Sequence, residues 1–477
     1  MKLSKLIENI AVTTLPNIEI TDISSDTRKP LKEGGMFVCI KGNTFDGHDS
    51  AEKMLQSGAA VVVVERDLGL KNQIIVPDSR RAFTKLCAAW FSHPERELKL
   101  VGVTGTNGKT TTTTVLKSLL TKMGYKVGLI GTCQNEIGDE IYHTERTTPE
   151  AYDLFELFRN MADKKCDYCV MEVSSQGLEQ GRVDGCMFET ATFTNLTQDH
   201  LDVHGTMENY YGAKKIIFSL CKKAVINTDT DYGRRYFSEI DCEKISFGEK
   251  NADLTASDIK LSANGVSYTC TADNESCKVD FAMPGDFNVS NSLGVIATMK
   301  ALGFDTKKTA GLLREFGGVR GRAEVVETGR DFTVICDYAH TPDAIENILS
   351  AIKSSADGRV VCLFGCGGNR DARKRPLMAK AAADNADFVI VTSDNPRNED
   401  PEAIIKDVLE GIKDTKTPYV TIADRREAIH WAVKNAQPKD VIVLCGKGHE
   451  DYQILAGGVK IHFDEREVVM EALSELE

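Results

Sequence analysis

The sequence predicts an α/β protein of three domains, with a doubly wound sheet in the last of them. Apolar, β-branched runs such as "LVGVTG" and "VIVLCG" alternate along the chain with segments of helical periodicity. This pattern is typical of βαβ units and parallel sheets. The chain has 477 residues, which is enough for about three domains of ordinary size.

Residues 1–97 are predicted to form a small α/β domain. Strands are expected at "MFVCIKG" and "AAVVVVE", with a helix from about Asp49 to Gly58 between them. The polar stretch "SHPERELKL" contains a proline and marks the end of this domain.

Residues 98–324 are predicted to form the central domain. Strands are expected at "LVGVTG", "YKVGLIGT", "YCVMEVSS" and "TATFTNLT", with one of the intervening helices starting at Pro149. From "KISFGEK" to "KVDFAMPG" polar and apolar residues alternate, which predicts an antiparallel patch. A helix is expected to follow, from about Asn288 to Leu302.

Residues 325–477 are predicted to form a doubly wound, Rossmann-like domain. Its strands are expected at "FTVICDY", "RVVCLFG", "DFVIVTS", "YVTIA" and "VIVLCG". Ligands of such sheets bind beyond the carboxyl ends of the strands. The loops "DYAH", "GCGGNRD", "SDNPR" and "CGKGHE" directly follow strands, so they are expected to converge on one crevice.

Composition narrows the class of protein. The formal net charge of −13 argues against nucleic acid as a partner, and it requires any anionic ligand to be held by local positive charge. No run of 18 apolar residues exists, and the N-terminus lacks a signal-peptide core. We therefore expect a cytoplasmic protein that does not bind membranes and is a monomer. The pair Cys166 and Cys169 has no second pair at zinc-site spacing.

A phosphate-binding loop is predicted at "GVTGTNGKTTTT", between a strand and a helix. Backbone N–H groups and the helix N-terminus would face an anion there. Lys109 is expected to reach the β- and γ-phosphates, and the Thr110 hydroxyl to bind Mg²⁺. The spacing departs from the common P-loop pattern, because Val103 stands where a glycine is usual. The candidate residues for ATP are Gly105, Thr106, Asn107, Gly108, Lys109, Thr110 and Thr111.

Three further features accompany this loop. Glu172 ends an apolar strand, where a carboxylate is costly unless it is paired or bound to a metal. "TNLTQDHLDVHG" concentrates acids and histidines, among them His200. "YYGAKKIIF" places Lys214 and Lys215 on a helix. Each feature taken alone also fits hydrogen-bonded histidines or a solvated helix face.

Together these motifs resemble those of the Mur ligase family, whose members form amide bonds with ATP. The matching segments run from about Asp26 to Asp451 and are "GVTGTNGKTTT", "MEVSSQGL", "NLTQDHLDVHG", "GDFNVSN", "GRAEVV", "DYAHTPD" and "CGKGHED". The resemblance implies a central P-loop-type ATP-binding domain. It is greatest to the members that add the third peptide residue to UDP-N-acetylmuramoyl-L-alanyl-D-glutamate.

The resemblance also implies roles for residues at the nucleotide. Thr110, Glu172 and His200 match Mg²⁺ ligands. Lys214 matches a lysine that the family carbamylates with CO₂ or bicarbonate, which would make it a further metal ligand. Lys109, Glu172, His200 and Lys214 are thus the expected catalytic residues. Positions that face the nucleotide are matched by Asn288, Asn291, Arg322, Asp337 and His340.

For the UDP-muramoyl-dipeptide, "SSDTR" and "GNTFDGH" resemble the uridine-nucleotide site, and other segments resemble the site of the muramoyl-peptide. The residues concerned are Ser25, Thr27, Asn43, Thr44, Phe45, Arg146, Thr147, Thr148, Ser174, Gln180 and Arg182. Arg146 departs from the asparagine that many relatives carry.

The stretch "TSDNPRNEDPE" contains the D-N-P-R signature that the family uses for meso-diaminopimelate. This diamine has one carboxylate more than lysine. The Arg397 guanidinium can bind that carboxylate with two parallel hydrogen bonds, and lysine would leave it unpaired. Asp394 and Asn395 are expected to take the ammonium group. The full set is Arg370, Asp394, Asn395, Pro396, Arg397, Gly446 and Glu450, while a helix is expected to start near Pro401.

The expected function is therefore an ATP-dependent amide ligase of peptidoglycan precursor synthesis that uses meso-diaminopimelate and passes through an acyl phosphate. The alternatives are the same ligase with L-lysine, a folylpolyglutamate-synthase-like ligase, a small-molecule kinase and a nucleotide-gated binding protein. The sequence does not identify the base that deprotonates the incoming amine.

Overall fold

The computed structural model of the protein describes residues 1–42, 45–262, 265–354 and 356–476. The described residues form three main β-sheets with helices packed against them, and a small two-stranded sheet near the C-terminus. The α/β class predicted from the sequence is confirmed.

The N-terminal sheet is parallel and small. Its strands, in spatial order, are β1 (Ile23–Ser24), β2 (Met36–Val38), β3 (Val61–Val64) and β4 (Gln73–Ile75). Its helices are α1 (Leu3–Leu6), α2 (Ala51–Gln56) and α3 (Ser79–Trp90). All four valines of β3 are buried, as expected for a parallel strand that is covered on both faces. The helix expected from Asp49 starts at Ala51, after a 3-10 turn at Gly47–Ser50.

The central sheet has the strand order β15-β14-β13-β12-β11-β10-β5-β9-β6-β7-β8. Its strands are β5 (Lys99–Thr104), β6 (Val127–Ile130), β7 (Asn135–Ile137), β8 (Glu140–Tyr142), β9 (Tyr168–Glu172), β10 (Phe188–Phe193), β11 (Cys221–Asn227), β12 (Glu243–Gly248), β13 (Leu254–Ser262), β14 (Gly265–Ala272) and β15 (Glu275–Phe281). The antiparallel patch is confirmed for β13 to β15. The prediction is wrong for β12, which pairs in parallel with both β11 and β13.

Helices cover both faces of the central sheet. They are α4 (Lys109–Lys122), α5 (Ala151–Asp163), α6 (Ser175–Glu179), α7 (Leu201–His204), α8 (Met207–Lys215), α9 (Asp231–Glu239), α10 (Phe287–Ala301) and α11 (Thr306–Leu313). The helix expected to start at Pro149 begins at Ala151. The helix α10 matches the segment predicted from Asn288 to Leu302 within one residue at each end.

The C-terminal sheet has the strand order β16-β17-β21-β18-β19-β20. Its strands are β16 (Glu324–Val326), β17 (Thr333–Asp337), β18 (Val360–Cys366), β19 (Phe388–Ser393), β20 (Tyr419–Thr421) and β21 (Val441–Cys445). The helices are α12 (Pro342–Lys353), α13 (Lys374–Asn385), α14 (Pro401–Leu409), α15 (Arg425–Lys434) and α16 (Glu465–Ser474), and a hairpin is formed by β22 (Tyr452–Ile454) and β23 (Lys460–His462). Neighbouring residues of its strands enter two separate apolar clusters, so helices cover both faces and the sheet is doubly wound.

The sheets meet in two different ways. One apolar core contains Leu3 and Val63 of the N-terminal part together with Phe155 and Phe193 of the central part. The central and C-terminal parts meet through polar groups, described below. The boundary predicted after residue 97 falls just before β5, and the boundary predicted after residue 324 falls inside β16. The division into three domains remains a prediction.

Candidate functional site

The phosphate loop lies between β5 and α4. Gly108 has a φ of +84° and precedes α4 without any side-chain cap, so the first N–H groups of the helix have no side-chain acceptor at that position. A Cβ on Gly108 would lie 2.4 Å from Asn291 Oδ1, so a glycine is required. This arrangement is suited to an anion, as the sequence predicted.

Lys109 is held in place by the loop itself. Its Nζ donates to Gly105 O at 3.0 Å and to Thr106 O at 2.8 Å. Burial lowers the pKa of Lys109. Lys109 lines a cavity of about 530 Å³, which we call the nucleotide cavity.

Glu172 ends β9 and is almost fully buried. Its carboxylate accepts hydrogen bonds from Thr110 Oγ1 at 3.0 Å, from the Thr132 backbone N–H at 2.9 Å and from Thr132 Oγ1 at 3.0 Å. These donors fix the carboxylate at the wall of the nucleotide cavity. Thr132, which follows β6, was not predicted.

The loop before β16, together with the segments around β17 and α12, supplies the opposite wall of the nucleotide cavity. Arg322 Nη2 donates to Thr110 Oγ1 at 3.1 Å, and the guanidinium lies 4.7 Å from the ring centre of Tyr338. Asp343, at the start of α12, accepts from Asn107 Nδ2 at 2.9 Å and from Thr197 Oγ1 at 3.3 Å. The carboxylate of Asp343 therefore links the C-terminal sheet to the phosphate loop.

Asn288 and Asn291, which were both predicted to face the nucleotide, differ in their placement. Asn291 lines the nucleotide cavity, together with Asp337 and His340. Asn288 is fully buried behind it and donates through Nδ2 to Pro284 O, while its Oδ1 accepts from Asn291 Nδ2. The expectation that Asn288 faces the nucleotide is corrected, because its amide is used to hold Asn291.

His200 and Asp199 lie at the edge of the nucleotide cavity that is nearest to α13. Lys374 Nζ donates to Asp199 Oδ1 at 2.8 Å. Burial alone raises the pKa of Asp199, but His200 and Lys374 outweigh it and lower this pKa to about 2. Burial lowers the pKa of His200, so a neutral imidazole is favoured there.

Lys214 is fully buried on α8. Its Nζ donates to Gly105 O at 2.8 Å and lies 4.6 Å from the ring centre of Tyr210. Burial places the pKa of Lys214 well below its usual value. Lys215 points away and pairs with Glu239 at 2.7 Å. Of the two lysines, Lys214 is thus on the side of the phosphate loop, and its unmodified amino group bonds that loop's backbone.

The donors at the nucleotide cavity fit Mg²⁺. Thr110 Oγ1 and the Glu172 carboxylate are adjacent oxygen donors, and Mg²⁺ prefers a few such groups together with phosphate oxygens. Within the described ranges, no three side chains of the His, Cys, Asp or Glu types form a cluster that would hold a metal by itself. The site is therefore suited to a metal that arrives with a phosphorylated ligand.

A second cavity of about 460 Å³ lies between the N-terminal and central parts. The predicted residues that line it are Ser25, Thr27, Phe45, Arg146, Gln180 and Arg182. Asn43 and Thr44 were also predicted but lie outside the described residues. Arg28 and Arg80 line the cavity without having been predicted, and they add positive charge where a diphosphate is expected.

A third cavity of about 640 Å³ adjoins the other two. It shares Arg146 and Arg182 with the second cavity, and Thr132, Thr147 and His200 with the nucleotide cavity. Thr148 and Ser174 also line this cavity. They have structural hydrogen bonds as well, since Thr148 Oγ1 donates to Glu172 O and accepts from the Ser174 N–H.

Arg370 and Glu450 reach the third cavity from the C-terminal sheet. Asp394, Asn395, Pro396 and Gly446 are buried behind them. The Asp394 carboxylate and the Asn395 amide face Lys447, which was not predicted. The ammonium group that these two residues contact is therefore supplied by the chain itself.

Arg397 has a φ of +52°, a conformation that is uncommon for residues other than glycine. Its Nη1 donates to Gly368 O at 2.9 Å and to Asn395 O at 3.4 Å. The guanidinium was expected to be unpaired without a second ligand carboxylate, but backbone carbonyls pair with it here. Within the described residues its Nε and Nη2 make no hydrogen bond, so they remain suited to a carboxylate.

The helix predicted near Pro401 is confirmed. It begins at Pro401, with Asp400 accepting a hydrogen bond from the Glu402 N–H as the N-cap. Glu399 instead accepts from Arg375 Nη2 at 2.8 Å.

Three family models match the chain. They are described as the Mur ligase family, catalytic domain (residues 19–89), the Mur ligase middle domain (residues 103–299) and the Mur ligase, glutamate ligase domain (residues 321–448).

Relatives match over the full length. A protein of Clostridium acetobutylicum named UDP-N-acetylmuramoyl-L-alanyl-D-glutamate–2,6-diaminopimelate ligase 1 is 45% identical, with 100% of each chain covered. A solved structure of a UDP-N-acetylmuramoyl-L-alanyl-D-glutamate–2,6-diaminopimelate ligase is 32% identical with a TM-score of 0.72, covering 100% of this chain and 99% of the other. Folylpolyglutamate synthase of Mycobacterium tuberculosis has a TM-score of 0.64 at 17% identity over 77% of this chain and 93% of its own, which shows likeness of fold alone.

Proposed function

Because the chain belongs to the Mur ligase family, we propose that it joins meso-diaminopimelate to the D-glutamate γ-carboxylate of UDP-N-acetylmuramoyl-L-alanyl-D-glutamate, at the expense of ATP, in peptidoglycan precursor synthesis. The observation that carries this proposal is that the three cavities adjoin one another. The third cavity shares Thr132, Thr147 and His200 with the nucleotide cavity and Arg146 and Arg182 with the second cavity, so ligands of the two can approach each other at the third cavity.

The first step is transfer of the γ-phosphoryl group from ATP to the γ-carboxylate, which forms an acyl phosphate and ADP. Phosphoryl transfer needs positioning and charge neutralisation more than covalent chemistry from the protein. Lys109 and the N-terminus of α4 hold the phosphates, and Arg322 adds a positive charge beside Thr110. When bound, Mg²⁺ supplies further neutralisation of the phosphate charge, with Thr110, Glu172 and His200 as the residues that would hold it.

Lys214 is proposed to carry a carbamate. Its amine is fully buried and its lowered pKa favours the neutral form, which is the form that adds to CO₂. The addition forms an N–C bond and releases one proton, and it changes a cation into a carboxylate-like group. Such a group beside the phosphate loop would add an oxygen donor to Thr110 and Glu172.

The second step is attack of an amine on the acyl phosphate. The amine nitrogen bonds to the acyl carbon through a tetrahedral intermediate, phosphate departs and the amine loses a proton. Arg370 and Glu450 present opposite charges to the third cavity, which suits a zwitterionic amino acid. Enclosure by the central and C-terminal parts would keep water from the acyl phosphate.

The test is an assay of purified protein with ATP, Mg²⁺ and the UDP-dipeptide, with meso-diaminopimelate and L-lysine in parallel. We expect ADP, phosphate and a UDP-tripeptide with meso-diaminopimelate, and far less product with L-lysine. Product formed equally from both amino acids would contradict the specificity. Phosphorylated product without amide formation would indicate a kinase, and turnover of a folate substrate would indicate the folylpolyglutamate-synthase-like alternative. The monomeric state and the cytoplasmic location remain predictions.

A further inference from the structure

A buried lysine lies at the centre of the predicted amino-acid site. Lys447 follows β21, and its side chain has no exposed surface. Its Nζ is 2.9 Å from Asn395 Oδ1, 3.0 Å from Glu450 Oε2 and 3.1 Å from Asp394 Oδ1. Two of the three N–H donors of the ammonium group bond Asn395 Oδ1 and Glu450 Oε2, while Asp394 Oδ1 is its ion-pair partner. Asn395 Nδ2 also donates to Glu450 Oε2 at 3.1 Å, which closes the cluster.

The hairpin β22–β23 holds this cluster from the other side. The Ile454 N–H donates to Asn395 Oδ1 at 2.9 Å, and Gln453 Nε2 donates to Asp394 O at 2.5 Å. The Tyr452 ring centre lies 5.8 Å from Lys447 Nζ. The cluster is therefore enclosed by the loop after β19, the loop after β21 and the hairpin.

The positive charge of Lys447 is needed to keep two neighbouring carboxylates together. Asp394 and Glu450 are two carboxylates that contact the same ammonium, and without it they would repel each other. Burial alone raises the pKa of Asp394, but Lys447 and Arg425 outweigh it and lower this pKa below its ordinary value of 3.8. Arg425 is already paired with Glu465 at 2.6 Å, so Lys447 is the cation that directly contacts the two carboxylates.

We propose that Lys447 is a positioning residue that sets the specificity of the amino-acid site. It holds Asp394, Asn395 and Glu450 so that the remaining carboxylate oxygens of Asp394 and Glu450 receive the ammonium group at the distal end of an amino acid. Two carboxylates and one lysine leave one negative charge, which matches one ammonium group. Arg370 and Arg397 lie alongside and match the neighbouring carboxylate. This inference rests on the proposed function.

Loss of the Lys447 charge should make the binding of meso-diaminopimelate depend on pH. In the natural protein Asp394 stays ionised above its ordinary pKa of 3.8, so its protonation does not affect binding between pH 6 and 8.5. Without the Lys447 charge, two neighbouring carboxylates share one site and one of their pKa values rises. Protonation of one of them at the acidic end of this range would relieve the repulsion and restore the single negative charge that matches the ligand ammonium.

The test is Lys447→Met, which keeps the length of the side chain but removes the charge. We expect the KM for meso-diaminopimelate to rise by about 10- to 100-fold, and to rise less at pH 6 than at pH 8.5. The KM values for ATP and for the UDP-dipeptide should stay within about threefold of wild type, because Lys447 lines neither the nucleotide cavity nor the second cavity. The matched control is Lys244→Met, whose Nζ donates to Phe237 O and Ile240 O far from this cluster. It should leave all three KM values unchanged.

Two further measurements separate positioning from general stability. Positional isotope exchange in ATP, measured with the UDP-dipeptide and no amino acid, reports acyl-phosphate formation and should be retained in Lys447→Met. The double variant Lys447→Met with Glu450→Gln should bind meso-diaminopimelate no worse than Glu450→Gln alone, because the repulsion is then relieved. If Lys447→Met is too unstable to assay, Lys447→Gln is measured in the same way.

An unchanged KM for meso-diaminopimelate in the Lys447 variants, or an equal rise of KM for all three substrates, would overturn this inference alone. A wild-type protein that shows isotope exchange but forms no amide with meso-diaminopimelate would overturn the proposed function and the inference with it.

Discussion

Lys374 Nζ lies 2.8 Å from Asp199 Oδ1, so the first residue of α13 is paired with the residue that precedes His200. The pair joins the C-terminal part to the central part at the nucleotide cavity. The Lys374 side chain is 31% exposed and that of Asp199 is 12% exposed, so the pair is partly shielded from solvent.

Lys374→Ala is expected to lower kcat/KM by about 3- to 30-fold, because a partly shielded ion pair between the two parts is lost. Steady-state phosphate release measures the effect, and small-angle scattering with an ATP analogue and the UDP-dipeptide should show a less compact protein. The control is Lys380→Ala on the same helix, whose partner Asp384 is exposed. An equal loss in both variants would mean that the contact with Asp199 is not the cause.

Arg397→Ala is expected to raise the KM for meso-diaminopimelate by orders of magnitude, up to about 10⁴-fold. The guanidinium nitrogens not bonded to Gly368 and Asn395 would no longer be present for the second carboxylate. ATP binding should survive, since Arg397 does not line the nucleotide cavity.

A matched arginine controls for loss of charge near this site. Arg373 is exposed and pairs with Asp371 at 2.8 Å, so Arg373→Ala should leave the KM for meso-diaminopimelate within about threefold of wild type. Near-normal kinetics of Arg397→Ala with meso-diaminopimelate would refute the assignment of Arg397.

Thr132→Val tests the support of Glu172. The substitution removes the hydroxyl that donates to Glu172 Oε2 but keeps the backbone N–H bond to the same carboxylate. Residues that orient metal ligands typically change metal affinity by about 10- to 100-fold. We therefore expect the Mg²⁺ concentration for half-maximal rate to rise by that factor. Thr121→Val is the control, because the Thr121 hydroxyl bonds only Lys117 O on an exposed helix face.

Much of the fold could be predicted, because the apolar residues of a strand indicate by themselves that the strand is buried. The four buried valines of β3 and the apolar run of β21 indicate strands by composition alone. The direction of a strand, in contrast, depends on the strand with which it pairs. The alternation in β12 is the same for either direction, and its parallel direction is shown by Phe247 lying opposite Leu254 and Gly248 opposite Thr255. The short edge strand β16 is likewise defined by its partner β17.

The candidate site, like the fold, could be predicted only in part. Strand-end loops in the sequence predict which segments meet, since carboxyl ends of parallel strands share one edge. They do not predict which atoms contact each other. Thr132 is 40 residues from Glu172, and Asn395 is 52 residues from Lys447. Asn288 and Asn291 lie one helical turn apart, yet only Asn291 lines the nucleotide cavity. Whether a residue lines the cavity or lies behind its wall depends on tertiary packing.

Carbamylation of Lys214 is expected to give a carbamate signal in ¹³C NMR after equilibration with ¹³C-labelled bicarbonate. The buried amine, with its lowered pKa, is the reactive group. Lys214→Ala should lose both the signal and amide formation. Lys215→Ala should keep both, because Lys215 is partly exposed and pairs with Glu239. A carbamate signal that persists in Lys214→Ala would place the modification elsewhere.

The buried pair of Arg425 and Glu465 is expected to contribute strongly to the stability of the C-terminal part. Both side chains have no exposed surface, their closest atoms are 2.6 Å apart, and Arg425 also donates to Cys445 O at the end of β21. Glu465→Gln leaves an uncompensated buried charge, so it should lower the free energy of unfolding by about 3–5 kcal/mol. Urea unfolding followed by fluorescence measures this.

The neighbouring pair of Arg426 and Glu471 is the control, because both side chains are about half exposed. Glu471→Gln should change the free energy of unfolding by less than about 1 kcal/mol, since exposed ion pairs contribute little. Equal effects of the two substitutions would show that burial of the Arg425–Glu465 pair does not determine its contribution. Replacing both Arg425 and Glu465 by methionine should cost less than Glu465→Gln alone, because no buried charge is then left without a partner.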